Sequence, residues 1–330
     1  MHASRTRTTR AMIVRLAMVA SVFVGHVDTT FGQAWIGPKG SGSINLDAQF
    51  VEGDGLLVNG QNLAPFKGVG FHNRVVTANL EYVPFDKWAI KAEVPYQFGQ
   101  LKGPPGFDNT AFGRLLGDGH TSDQILTDLS DLAMELRRGF TYKDWALAPF
   151  VGFSIPMTNY EIHTARQPGR GLSEARIGLN AGHKLGEKAY LHLRYMFSHF
   201  DTFGERADFA LEDKQLQQTN AALELGYFVN KKITVKGGLN YRNTKGGIEC
   251  ADAITFGGRI LGGVANADDV RGFLFHRALR NEEFITARIE GEYNLSDHWS
   301  TYVGYSDFVS GNDIIPFTSY WTTGVTWSFE

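Results

Sequence analysis

The chain holds a single cysteine, Cys250, in 330 residues. It therefore forms no internal disulfide and no cysteine-built metal centre. No segment beyond the N-terminal region reaches the about 18 consecutive apolar residues that a membrane-spanning helix needs. Neither sign of charge dominates, because 32 Lys and Arg stand against 35 Asp and Glu, for a formal net charge of −3. That balance gives no sign of a nucleic-acid partner. The G-x-x-x-x-G-K-[ST] phosphate loop is also missing, so nothing marks ATP as an energy source and no cofactor is implied.

What the chain has in abundance is glycine, 38 residues, and aromatics, 13%. The pairing suits an all-β protein with many turns. At the N-terminus, Arg5, Arg7, Arg10 and Arg15 precede the short apolar run LAMVASVFVG (16–25), with Gly32 and Ala34 at the −3 and −1 positions of a cleavage site. This is the layout of a secretory signal peptide over 1–34, leaving 35–330 as one exported domain. No cysteine follows the run, so a lipid anchor is not expected. An exported chain without a membrane helix is periplasmic, secreted or a barrel.

In KWAIKAEVPYQF (87–98) every second residue is apolar, the period of a strand with two unlike faces, and Pro95, which cannot donate to the ladder, predicts a local bulge where the strand approaches 99–129. The same period predicts strands at 43–52, 73–83, 87–98, 130–142, 145–157 and 173–183. It continues at 189–199, 217–228, 232–243, 281–293, 298–309 and 318–329, for about twelve in all. Connections alternate in length. Tight ones, such as Pro84-Phe85-Asp86, Lys143-Asp144 and 184–188, separate long ones at 53–72, 99–129, 158–172, 200–216 and 244–280. A soluble sandwich has no reason to alternate this way, whereas an outer-membrane barrel has short periplasmic turns and long external loops. The expected fold is a single antiparallel transmembrane β-barrel in the outer membrane, embedded in lipid and lipopolysaccharide and inserted by the barrel-assembly machinery.

The two faces differ accordingly. One carries Ile44, Leu46, Phe50, Val76, Leu80, Leu193, Tyr195, Leu223, Leu225, Ile289, Trp321 and Trp327, with aromatics gathering at strand ends. The other carries Asp47, Glu81, Lys91, Glu93, Glu135, Arg137, Arg176, His192, Arg194, Glu224, Lys236, Arg288 and Glu290. These thirteen are the candidate lumen-lining, solute-contacting residues; the bland alternative is a salt-bridge ladder that fills a narrow barrel. Arg138 and His183 fall on the lipid side, where nearness to a periplasmic turn or a bulge would explain them.

The residues also resemble a family. WIGPKGSGSINLDAQF (35–50) is similar to the Trp-x-x-Pro-Lys-Gly-x-Gly opening of outer-membrane proteins grouped as the "MetA-pathway of phenol degradation" family. YVPFDKWAIKAEVPYQF (82–98), SDLAMELRRGF (130–140), FVGFSIPM (150–157) and the closing YWTTGVTWSFE resemble its later hairpins, with Ser130 replacing a glycine. The resemblance implies an outer-membrane barrel acting in uptake of small solutes, in some contexts aromatic compounds. It carries no catalytic or ligand residue. Such barrels usually end on an aromatic; here Glu330 follows Phe329.

The expected function is a passive channel for small solutes, possible organic or aromatic acids among them, gated by the external connections 99–129 and 244–280. The alternative is a sealed barrel with a structural or adhesive role. A lipid-facing Ser173–His199 pair, placed opposite one another by folding about 186, would be the minimum of a phospholipase, but the chain is read as no enzyme. GDGHTSD (117–123) and NADD (266–269) offer oxygen ligands, yet solvated loops account for both and no metal is expected.

Overall fold

A computed structural model describes residues 34–54, 57–58, 61–62, 70–102, 126–158, 171–201, 215–247, 281–312 and 317–330. The signal-peptide segment, GDGHTSD, NADD and most of the two connections expected to gate the channel lie outside the described residues. The described residues are strands and turns, with no helix among them. In chain order the strands are β1 (Gly42–Asp54), β2 (Leu57–Val58), β3 (Gln61–Asn62), β4 (Gly70–Phe85) and β5 (Trp88–Lys102). They continue as β6 (Leu126–Leu129), β7 (Asp131–Arg138), β8 (Phe140–Tyr142), β9 (Trp145–Pro156), β10 (Ser173–Leu185) and β11 (Ala189–Asp201). The last five are β12 (Gln217–Phe228), β13 (Ile233–Lys245), β14 (Glu283–Asn294), β15 (Trp299–Asn312) and β16 (Phe317–Phe329).

β2 and β3 form a small hairpin of their own, and β6, β7 and β8 are one interrupted span. The twelve spans therefore stand where the alternation placed them. Each neighbours the next, and β16 pairs antiparallel with β1 from Ser43–Ser328 to Val51–Tyr320, which closes the ring. Closure leaves no sheet edge exposed to hydrocarbon, where an unpaired backbone group costs several kcal/mol.

Alternation then fixes the two faces. Leu46, Val151, Ile177, Tyr195, Leu225 and Ile289 point out and are exposed, while their neighbours in sequence point in and are buried or half-buried. Even outward hydroxyls are satisfied by the backbone: Thr301 Oγ1 donates to Gly324 O at 2.9 Å and Thr323 Oγ1 to Tyr302 O at 3.0 Å. Arg138 and His183 do face outward, at the turn end. The Arg138 guanidinium lies 5.1 Å from the Trp88 ring and 5.2 Å from Phe140. His183 stacks on Trp145 at 4.7 Å, its Nδ1 3.1 Å from Asp144 O. Both polar groups thus sit in the aromatic girdle at the interface.

Three details of register differ from the sequence reading or sharpen it. The first hairpin turns at Asp86-Lys87, one residue later than expected, because a bulge after Tyr82 adds a residue to β4 and Lys87 takes a left-handed φ of 64°. Pro95 does coincide with a bulge, but on the partner strand. From Glu93 to Tyr96 β5 advances three residues, while its partner runs four, from Ala133 to Leu129. The extra residue is Ser130, whose amide donates to Pro95 O at 2.9 Å; Pro95 itself has no N–H to offer. Finally, Ser173 pairs with Asp201, and His199 pairs with Ala175. The β10–β11 turn is centred on 187, so the Ser173–His199 pairing expected for a phospholipase is corrected. No hydrogen bond joins the two side chains.

The burial pattern predicts a depth-dependent cost for outward charge. Leu223 lies mid-wall, between Leu193 and Leu239 on the neighbouring strands. Leu223→Arg is expected to destabilise the barrel by about 2–4 kcal/mol, and Phe228→Arg, at the turn end, by about 0–1 kcal/mol. Urea unfolding from lipid bilayers measures both.

Candidate functional site

The inner wall carries the candidate residues because the period of two leaves them no other face. All thirteen point into the lumen. Lys91, Arg137, His192 and Glu224 expose 2% or less of their surface, and Asp47, Glu93, Glu135, Arg194, Arg288 and Glu290 are also buried. Glu81, Arg176 and Lys236 are partly accessible. Ionised groups so removed from water must be paired or hydrogen-bonded, and they are.

The charges sort into groups around the ring. On the β4–β7 wall, Lys91 Nζ lies 2.5 Å from Glu93 Oε1 on the same strand, and Arg137 Nη2 lies 2.5 Å from Glu81 Oε2, reaching past β5. Arg194 on β11 pairs with Glu135 on β7 across the inward faces of β9 and β10. That contact is possible because β9 and β10 offer small residues there. A Cβ on Gly152 would come within 3.1 Å of Glu135 Cγ, and one on Gly178 would strike the Phe150 ring. The Arg194 guanidinium lies 4.3 Å from the Phe150 centroid, and its Nη1 donates to Asn180 Oδ1 at 3.1 Å. The ion pair thus spans three strands along the inner wall, resting on Phe150 of β9 and Asn180 of β10.

On the β11–β14 wall Lys236 Nζ sits between Glu290 (3.0 Å) and Glu292 (2.8 Å), and Glu290 also pairs with Arg288. Tyr190 Oη donates to Glu224 Oε1 at 2.8 Å. The β16–β1–β4 wall is different: its carboxylate, Asp47, is held by amides. Gln49 Nε2 donates to it at 3.0 Å and Asn79 Nδ2 at 2.9 Å, while Tyr320 Oη donates to Gln49 Oε1 at 3.3 Å. Toward the external end Arg176 pairs with Glu174 at 2.7 Å and Arg242 with Glu282 at 3.5 Å, with Arg242 5.3 Å from the Phe284 ring.

Sequence reasoning thus places the lining residues but not their partners. Glu174, Arg242, Glu282 and Glu292 belong to the same system and carry the same signal, charge at inward parity. The amides Gln49, Asn79 and Asn180 are legible at that parity, whereas Asn45 and the tyrosines Tyr190 and Tyr320 are harder to see, since polar alternation alone gives them no special weight. Among the described residues no cluster of His, Cys, Asp and Glu is arranged to hold a metal ion.

One element of the lumen has no counterpart in the alternation. Residues 34–41 precede β1 and enter the periplasmic mouth. Pro38-Lys39-Gly40-Ser41 form a turn, with Ser41 N donating to Pro38 O at 3.1 Å and Gly40 at φ 94°, a conformation that glycine adopts freely. Gly40 N donates to Val83 O, and Val83 N to Ser41 O, both at 2.9 Å, which moors the turn to β4. From there Ile36 reaches Gly139 and Trp35 reaches Gly182 and Tyr190.

No family model matches the chain, and no curated protein matches it either. Among solved structures, the COG4313 outer membrane channel from Pseudomonas putida F1 aligns with a TM-score of 0.64 at 14% identity, covering 92% of this chain and 100% of that one. The NanC porin aligns at TM-score 0.48 and 7% identity, covering 87% of this chain and 100% of its own. The KdgM porin aligns at 0.46 and 9%, covering 87% and 99%. What the chain shares with the first of these is its fold, that of a twelve-stranded outer-membrane barrel.

Truncating Arg194 leaves the Glu135 carboxylate buried without its cation. Arg194→Ala is expected to cost about 3–5 kcal/mol of unfolding free energy. The double variant Glu135→Gln, Arg194→Met should recover much of it, and a double-mutant cycle in urea unfolding separates the pair's coupling from lost packing.

Proposed function

We propose that this protein is an outer-membrane channel through which small polar and ionic solutes move passively down their gradients. The observation that carries the reading is the inner wall: charges of both signs ring a closed barrel on every side, from Asp47 and Lys91 through Arg194 to Glu224 and Arg288. A wall meant only to be filled is built more cheaply from well-packed apolar side chains, since replacing buried ion pairs by hydrophobes is often neutral or stabilising. Charged rings at close quarters are instead how pores admit and select hydrated solutes. Of the thirteen inward charges, the partly accessible Glu81, Arg176 and Lys236 are the ones placed to meet solute, and the ten buried ones shape the field around them. Guanidinium groups beside aromatic rings, Arg194 at Phe150 and Arg242 at Phe284, favour small organic anions, aromatic acids among them. Residues 1–34 serve as the export signal on this reading, and the barrel resides among lipid and lipopolysaccharide after insertion by the assembly machinery.

A sealed barrel is the competing reading, favoured by the near-complete burial of the paired inward charges, Arg194–Glu135 among them. Purified protein in planar bilayers distinguishes the two: discrete openings are expected, and sustained silence across voltages would reject the channel. Liposome swelling with sugars, aliphatic carboxylates and aromatic acids then ranks the solutes, with the acids expected to enter fastest. Selectivity should follow the lining charge. Lys236→Gln strips Glu290 and Glu292 of the ammonium between them, so the reversal potential in a KCl gradient should shift toward cation preference.

A further inference from the structure

We propose that the lipid face around Arg138 is a binding site for the phosphodiester of a phospholipid in the periplasmic leaflet. Arg137 and Arg138 are neighbours in sequence with opposite surroundings. Arg137 points in, is fully buried and pairs with Glu81. Arg138 points out and is exposed, and among the described residues no carboxylate pairs with it. A guanidinium that faces lipid and has no anion from its own chain is open to one from the bilayer. The site lies on the outer surface of the wall, so it stands whether or not the lumen conducts.

The local structure holds that guanidinium in place. Trp88 of β5 is the cross-strand partner of Arg138, and Phe140, two residues on, is exposed on the same face. The guanidinium carbon lies over both rings, 5.1 Å from the Trp88 centroid and 5.2 Å from that of Phe140. β7 ends at Arg138 and β8 begins at Phe140. The Gly139 amide between them donates to Lys87 O at 2.7 Å, which ties this break to the β4–β5 turn. A long side chain so held loses less rotamer freedom when it binds. The planar fork of an arginine that rests on aromatic rings also matches two phosphate oxygens, and such charge-assisted pairs are stronger than neutral hydrogen bonds.

The surroundings have the polarity of a phospholipid. Toward mid-wall from Arg138 comes Leu136, flanked on the neighbouring strands by Ile90 and Val151, all outward and exposed. These form the track for the acyl chains. Toward the periplasm come the stacked rings of Trp145 and His183, and the Lys143 ammonium 5.4 Å from the Tyr142 ring. Charge at the turn end with hydrocarbon beyond it fits a lipid whose headgroup faces the periplasm; a lipid of the external leaflet needs the opposite order. The flanking turns, Asp86-Lys87 and Lys143-Asp144, each carry one charge of either sign, so Arg138 supplies the uncompensated cation.

Native mass spectrometry of the detergent-purified protein, titrated with phosphatidylglycerol, tests the site. Diacylglycerol with the same acyl chains, which lacks the phosphate, is the comparison. The unmodified protein is expected to hold phosphatidylglycerol more tightly than diacylglycerol. Arg138→Gln should weaken phosphatidylglycerol binding about fivefold, the contribution of one basic residue beside anionic lipid, and leave diacylglycerol unchanged. Trp88→Leu keeps the charge, removes one ring of the clamp and should weaken binding in the same direction. Arg74→Gln removes an exposed, outward arginine at the external end of β4 and should bind as the unmodified protein does. Heat-modifiable migration in gels verifies that each variant is folded. If Arg138→Gln binds phosphatidylglycerol undiminished, or if Arg74→Gln weakens it equally, the site is wrong and the attraction is general. If inorganic phosphate binds as tightly as the lipid does, the site takes a free anion and the phospholipid assignment fails.

Discussion

The hydrogen-bonded seam between β16 and β1 is the contact on which everything else depends. A sheet immersed in hydrocarbon cannot leave an edge, because no water is present to satisfy its amides and carbonyls. Once Ser43–Ser328 through Val51–Tyr320 are paired, every strand has two neighbours and the backbone makes no further demand. Side chains then differ only by parity. One set meets lipid and must be apolar or hydrogen-bonded to the strand itself, as Thr301 and Thr323 are. The other set meets the lumen and is free to carry charge. The polar interior is therefore a consequence of closure.

Closure also concentrates the charge, and the inner wall answers by pairing opposite signs and by making room for the pairs. Glycine and alanine face inward where long side chains must pass: Ala148 and Gly152 on β9, Gly178 and Gly182 on β10. Over this low stretch Arg194 crosses to Glu135, and Trp35 finds its seat beneath. Large and small inward residues thus alternate on this wall, and Phe150 and Asn180 support the Arg194 guanidinium between them.

How much of this could be read from the chain follows from range. Parity is a local property, so all thirteen inward charges and the outward Leu, Val and Trp were legible, as were twelve spans from alternating connection lengths. Register is set by turns, and there the reading slipped. A tight turn at 184–188 can be centred on more than one residue; the left-handed Gly186, at φ 71°, puts the centre at 187 and separates Ser173 from His199. The bulge near Pro95 was legible because proline lacks an N–H, but not that Ser130 on the partner strand would supply the extra residue. Arg194–Glu135 and Trp35–Gly182 were invisible in principle, since contacts across a lumen depend on ring order and wall depth, which no local pattern records.

The asymmetry between the two ends gives residues 34–41 their place. At the periplasmic end the connections are too short to cover anything: Asp86-Lys87 and Lys143-Asp144 have two residues each, and 186–188 has three. What lies across this mouth comes from ahead of β1. The Gly40 turn anchors it on Val83 of β4, and Trp35 meets the far wall with one large, flat, mostly apolar side chain. A tryptophan there trades little conformational freedom for a wide obstruction. The alternating connection lengths that identify the barrel are thus the same feature that leaves its inner mouth to residues 34–41.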